Sequence, residues 1–293
     1  MTPAHPHAIV CISSHVARGT VGNRAAAFAS EALGHPVWSV PTVLLPWHPG
    51  QGPGTRMVWP SDGFAALLGD LESSPHLGEI GGVLSGYLGE SSQAEAIAAL
   101  VDRIKAANPR ALYCCDPVMG NERGLYVPEG TASAIATHLV PRADIITPNR
   151  HELEWLSGAP LPDNAAFVSA ARALGAARVL VTSAYAPPGR TGNLLVTKER
   201  ATLAEHVRVN APNSGTGDLA AGLFLSRLVS GQDDHPALRE TTAAVLDAIQ
   251  AEAARGTDEL PLETVRDRLI APKAVVNVSS LTEEALAPSV TAS

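Results

Sequence analysis

The chain has 293 residues, of which 45% are hydrophobic and 17% charged, and a formal net charge of −8. Those values suit a globular protein with a sizeable core and argue against a surface built for nucleic acid. No apolar run approaches the ~18 residues of a membrane span, and Met1 to His7 lacks a leader pattern, so a cytoplasmic protein with no membrane partner is expected.

The first apolar run, Ala8 to Ile12, reads as a buried parallel strand ending at Ser13-Ser14-His15. Gly22-Asn23 opens a helix that closes at Gly34. Val37 to Val40 is a second strand. Pro41 to Gly54 follows as a long flap with four prolines and three glycines, carrying Trp47 and His48. Met57 to Trp59 reads as a short edge strand, and Ser61 to Leu71 as a helix capped by Ser61. A strand through Val83-Leu84 ends at Ser85-Gly86-Tyr87. Ser91 or Ser92 then caps a helix with apolar residues at Ile97, Leu100, Val101 and Ile104.

Ala111 to Cys115 is the next strand, ending in Asp116-Pro117, and a helix follows Pro128. Asp144 to Thr147 ends in Pro148-Asn149-Arg150-His151-Glu152. An alanine-rich helix, Ala165 to Leu174, leads to the strand Arg178 to Thr182. Leu194 to Thr197 and Thr202 to Val209 suggest a hairpin. Three helices follow, near Leu219–Val229, Pro236–Ala253 and Pro261–Leu269, and Val275 to Val278 reads as a last strand. The end of the chain, residues 282–293, is small and polar and is expected to be disordered.

Strands alternating with helices predict an α/β fold, a mainly parallel central sheet with helices on both faces. No repeat or linker interrupts it, so residues 7–281 read as one domain. Cys11, Cys114 and Cys115 all fall in strand runs without metal or redox spacing and are expected to be structural.

Ligands of such sheets sit beyond the carboxyl ends of the strands. Ser14, Tyr87, Asp116, Asn149, Glu152, Thr182 and Asp218 all follow strands at that end. The most suggestive stretch is Ser214-Gly215-Thr216-Gly217-Asp218, a glycine-rich turn entering an apolar helix. N–H groups at a helix start attract anions, and an adjacent acid can take a proton from a hydroxyl. The plainer reading makes Asp218 a helix cap. Asp116 and Glu152 suit Mg²⁺ held together with phosphate and water. Their plainer readings are an Asx turn before Pro117 and a first-turn helix acid.

Several stretches together resemble one family. Asn213-Ser214-Gly215-Thr216-Gly217-Asp218-Leu219-Ala220-Ala221-Gly222 resembles the signature of ribokinase-like kinases, and Asn149-x-x-Glu152 matches that superfamily's Asn-x-x-Glu motif. Ser14-His15-Val16, Leu84 to Gly89, Lys105 to Pro109, Cys115 to Gly120 and Tyr126-Val127-Pro128 resemble pyridoxal kinases. The likeness runs from about Ile9 to Ile270.

It implies transfer of the ATP γ-phosphoryl group to the 5′-hydroxyl of pyridoxal, in B6 salvage. By matching positions Asp218 would be the base, with Gly215, Thr216 and Gly217 as the anion hole. Asp116, Thr147, Asn149, Glu152, Thr182 and Ser183 would surround ATP and Mg²⁺, with Asp116 and Glu152 on the metal. Ser14, His48 and Tyr87 would surround the vitamer beside Asp218. The resemblance also implies a homodimer and activation by a monovalent cation such as K⁺. One departure is Pro49, where family members carry Thr after the flap histidine. The alternatives are a hydroxymethylpyrimidine kinase of the same fold and a vitamer-binding protein without catalysis.

Overall fold

The computed structural model describes residues 7–212 and 214–281. The expected C-terminal tail and Asn213 of the glycine-rich turn lie outside the described residues. The first half runs β1 (Ala8–Val16), α1 (Asn23–Ala32), β2 (Val37–Leu45), β3 (Met57–Val58), α2 (Ser61–Glu72), β4 (Ile80–Ser85), α3 (Gln93–Ala107) and β5 (Leu112–Cys115). A small hairpin, β6 (Gly120–Asn121) and β7 (Gly124–Leu125), precedes α4 (Glu129–Ala134) and β8 (Ile145–Ile146). Then come α5 (Arg150–Ser157), α6 (Asn164–Ala173), β9 (Arg178–Ala184), β10 (Arg190–Thr197) and β11 (Ala201–Val207). The chain closes with α7 (Thr216–Val229), α8 (Asp234–Arg255), α9 (Leu262–Ile270) and β12 (Asn277–Ser280).

Among the described residues ten strands form one sheet, in the order β12-β11-β10-β9-β8-β5-β4-β1-β2-β3. The six central strands from β9 to β2 are parallel, and β10, β11, β12 and β3 extend the edges antiparallel. The two-residue period of a strand explains why both faces are covered. In β1, Val10 and Ile12 join a core with Phe64, Leu68 and Ile97, whereas Ile9 and Cys11 join another with Ala26, Phe224 and Leu238. The neighbours Cys114 and Cys115, Ile145 and Ile146, and Leu180 and Val181 divide the same way. All three cysteines are buried and free, and burial pushes the Cys11 and Cys115 thiols up to about 12, far from a reactive thiolate.

Four local expectations need correction, the first being that Ser92, at the cap position of α3, makes no capping bond and donates its hydroxyl to Glu90 instead. β2 does not stop at Val40 but runs through Pro41 to Leu45. Pro41 faces Ser13 where the β1–β2 register shifts, so its missing N–H falls at an irregularity a strand tolerates. Ser61 is the first residue of α2 and makes no capping bond; Pro60 holds the cap position. The last strand lies two residues later than the apolar run, because pairing of Ser280 with Thr202 and Asn277 with Glu205 sets its register, leaving Val275 82% exposed.

Candidate active site

The parallel strands end below a cavity of about 660 Å³. Its floor comes from three consecutive strand ends joined by backbone bonds: Asp116 N–H donates to Ser85, Thr147 N–H to Cys115, and Thr182 N–H to Pro148. This stepwise pairing brings residues far apart in sequence to one rim. The Asp116 carboxylate is buried and accepts a 2.9 Å hydrogen bond on Oδ1 from Thr147 Oγ1.

Asn149 and Glu152 form a reciprocal capping box at the start of α5. Asn149 Oδ1 accepts from His151 N–H at 2.9 Å and Glu152 N–H at 3.0 Å, while Glu152 Oε2 accepts from Asn149 N–H at 2.8 Å. The pair does more than start a helix. Glu152 Oε1 accepts from the N–H groups of Met119 (3.0 Å) and Gly120 (3.4 Å), and Asn149 Nδ2 donates to Gly120 carbonyl at 2.9 Å. The plainer reading of Glu152 as a first-turn acid is therefore correct as far as it goes, and the residue also braces the loop after Asp116.

Asp218 does not cap α7. Gly215 holds the cap position in the left-handed region at φ 84°, and Asp218 lies in the first turn. The backbone N–H groups of Gly22 and of Asp218 itself act on its carboxylate by drawing its pKa down against burial. The two glycines of the turn play different parts. A Cβ on Gly215 would stand 2.1 Å from the Thr20 carbonyl, so the fold demands glycine there. A Cβ on Gly217 would meet nothing within 4 Å, and φ there is not positive. The space before Gly217 is open to the cavity, at the positive end of the helix.

The acids share an electrostatic problem. Burial raises Asp218 to about 6 and Glu152 to about 7, although three backbone N–H groups pull Glu152 down. Asp116 is pushed well above the carboxylate range by burial, then by Glu152 and Asp218. No lysine or arginine lines the cavity among the described residues. Such a set favours a bound cation.

On the opposite wall, Ser14 is buried and Tyr87 half-buried. Tyr87 is fixed through its backbone: its N–H donates to Ser13 Oγ at 3.0 Å and its carbonyl accepts from Thr42 Oγ1 at 2.7 Å. His48 starts a one-turn helix at Pro49–Gln51, and its Nδ1 accepts from Gly50 N–H at 3.2 Å. Burial lowers its pKa, so near neutral pH the ring is uncharged and carries its proton on Nε2.

Every residue singled out from the sequence lines this one cavity: Ser14, His48, Tyr87, Asp116, Thr147, Asn149, Glu152, Thr182, Ser183, Gly215, Thr216, Gly217 and Asp218. Sequence reasoning missed the part played by Gly22. It takes φ 58°, and a Cβ there would fall 2.3 Å from Ser14, so glycine lets the loop pass Ser14 with its N–H acting on the Asp218 carboxylate. The glycine at the start of α1 was the available clue. Tyr126 also lines the cavity, and its hydroxyl pKa is raised by burial and then by Glu152, Asp116 and Asp218.

Residues 79–263 match the family model for phosphomethylpyrimidine kinase. The chain is 38% identical over 272 residues to pyridoxal kinase PdxY of Rubrobacter xylanophilus, covering 90% of this chain and 94% of that protein. It is 36% identical over 286 residues to pyridoxal kinase PdxY of Deinococcus radiodurans, covering 93% and 96%. The structure is similar to pyridoxal kinase from Leishmania donovani in complex with ADP and pyridoxamine, with a TM-score of 0.88, 27% identity, and coverage of 94% of this chain and 100% of that one. The ribokinase-like architecture and this degree of identity agree, and the chain belongs to the pyridoxal kinase family.

Proposed function

We propose that this protein transfers the γ-phosphoryl group of ATP to the 5′-hydroxyl of pyridoxal and other B6 vitamers, as one kinase domain spanning residues 7–281. The observation that carries the reading is the placement of Asp218, between the N-terminus of α7 and a pocket wall of Ser14, His48 and Tyr87. Relatives named pyridoxal kinase, and a neighbour holding ADP and pyridoxamine, support the substrates.

Asp218 takes the hydroxyl proton as the new O–P bond forms. The bond from Pγ to the bridging oxygen breaks, and its electron pair leaves on ADP. Gly215, Thr216 and Gly217 present the start of α7 to the transferring group, where a fixed dipole stabilises developing charge. Ser14 meets polar substituents of the vitamer ring, Tyr87 offers its face, and His48 donates from Nε2.

Asp116, Thr147, Asn149, Glu152, Thr182 and Ser183 form the nucleotide side. Asp116 would hold Mg²⁺, since Oδ2 makes no protein hydrogen bond among the described residues. Glu152 would act through metal-bound water, because both its oxygens already accept backbone N–H groups. When bound, Mg²⁺ supplies charge neutralisation of the phosphates. A monovalent cation such as K⁺ fits the same acidic floor. Among the described residues no helix is long and apolar enough to cross a membrane, and a cytoplasmic location is part of the proposal. So is a homodimer, for which the exposed Leu44, Trp47, Met57 and Trp59 near the β3 edge offer an apolar face.

The test is ADP release with saturating MgATP across pyridoxal, pyridoxine, pyridoxamine and hydroxymethylpyrimidine. The highest kcat/KM is expected with a B6 vitamer. Preference for the pyrimidine, the reading the family model's description favours, would reassign the substrate; no ADP release with any compound would favour a binding protein.

A further inference from the structure

We propose that Gln51 is a positioning residue that latches the His48 segment over the active site, through a clasp with Arg18 and Asp258. The inference rests on the reading above that His48 meets the vitamer.

The clasp is a closed ring of side chains from three separate loops. Arg18 Nη1 donates to Gln51 Oε1 at 2.8 Å, and Gln51 Nε2 donates to Asp258 Oδ2 at 2.9 Å. Arg18 completes it with Nη2 to Asp258 Oδ1 at 2.8 Å and Nη1 to Oδ2 at 3.2 Å. An amide suits this ring, because it accepts from a guanidinium through its oxygen and donates to a carboxylate through its nitrogen at once. Arg18 holds the Asp258 carboxyl below its ordinary range, so the ring is charged on both partners at neutral pH.

The segment it holds has little else to keep it in place. No residue of the Pro49–Gln51 turn is buried. Its other hydrogen bonds are local: Trp47 Nε1 to Gly52 carbonyl, Gly50 N–H to His48, Gln51 N–H to His48 carbonyl, and Gly52 N–H to Pro49 carbonyl. A rim latch of modest strength can therefore set how often His48 faces the cavity. The loop that carries Arg18 continues through Thr20, whose hydroxyl donates to Leu260 carbonyl at 3.1 Å, to Gly22, whose N–H acts on the Asp218 carboxylate. Arg18 of the latch and Gly22 beside Asp218 thus stand at the two ends of one short loop.

The experiment compares the wild type with Gln51→Ala, Asp258→Ala and the double variant. Hydrogen exchange without ligand should be faster at the Gly50, Gln51 and Gly52 amides in all three variants. KM for pyridoxal should rise about three- to tenfold, with kcat and KM for ATP within about twofold, as suits an exposed ion-pair cluster. Added salt should raise the wild-type KM and leave the variants' unchanged. Because one clasp is broken in each case, the double variant should lose no more than the worse single. Unchanged exchange, unchanged KM or additive losses would each overturn the proposal. The ligand-free exchange result stands even if pyridoxal proves not to be the substrate, so the two readings fail separately.

Discussion

The two walls of the cavity are built on opposite principles. The floor around Asp116, Glu152 and Gly215 is interlocked: Glu152 accepts three backbone N–H groups, Asp116 is tied to Thr147, and Gly215 sits where no side chain fits. The flap from His48 to Gly54 has only local bonds and an exposed clasp. On the proposed mechanism the interlocked wall aligns the phosphoryl group and the loosely held wall meets the vitamer. The floor is where a single substitution should cost most.

Asp218→Asn tests that most severely. It keeps the shape and the acceptor for Gly22 N–H but cannot take a proton, so kcat should fall by ~10²–10⁴ with vitamer affinity little changed. A near-normal kcat would leave Asp218 a first-turn acid of α7 and nothing more.

The two glycines of the turn separate fold from function. Gly215→Ala should lower Tm and displace the start of α7, with a loss in kcat of about 10²-fold, since small misplacements at a reacting centre are costly. Gly217→Ala should leave Tm unchanged yet raise KM for ATP, because its methyl group would occupy only ligand space. Equal melting of both variants would erase the distinction.

Glu152→Gln comes next. An amide can satisfy the Met119 side or the Asn149 side, and turns an N–H toward the other. The Mg²⁺ needed for half-maximal rate should rise about tenfold, the range for a group that orients a metal site from behind. If Asp116→Asn shifts that titration and Glu152→Gln does not, Glu152 serves the fold alone.

The smallest effect on the floor is one of stability. Asp218 has a folded pKa of about 6 against an ordinary 3.8. The folded carboxyl holds its proton more tightly than the unfolded one, so its contribution is complete below about pH 4 and is lost as pH rises through 6. Ligand-free Asp218→Asn, measured in chelator, should therefore melt ~2–5 °C above wild type at pH 8, a gain that shrinks toward pH 4. An equal difference at both pH values would contradict the burial of this carboxylate. The clasp variants complete the series on the loosely held wall, where KM is expected to change and kcat is not.

Much of this was legible along the chain. Short continuous apolar runs alternating with amphipathic stretches determined a covered parallel sheet, because a strand sends neighbouring side chains to both faces. The same logic placed polar residues on one rim, and the glycine-rich turn marked where a helix would face them. Tertiary structure alone decided the partners. Nothing local says that Glu152 reaches Met119, that Gly22 comes beside the Asp218 carboxylate, or that Gln51 joins residues 33 and 207 positions away. It also decided that β2 continues through Pro41 and that the last strand begins at Asn277. The reason is that backbone geometry is set by neighbouring residues, whereas these contacts depend on how separately placed loops meet once the sheet has brought their strand ends together.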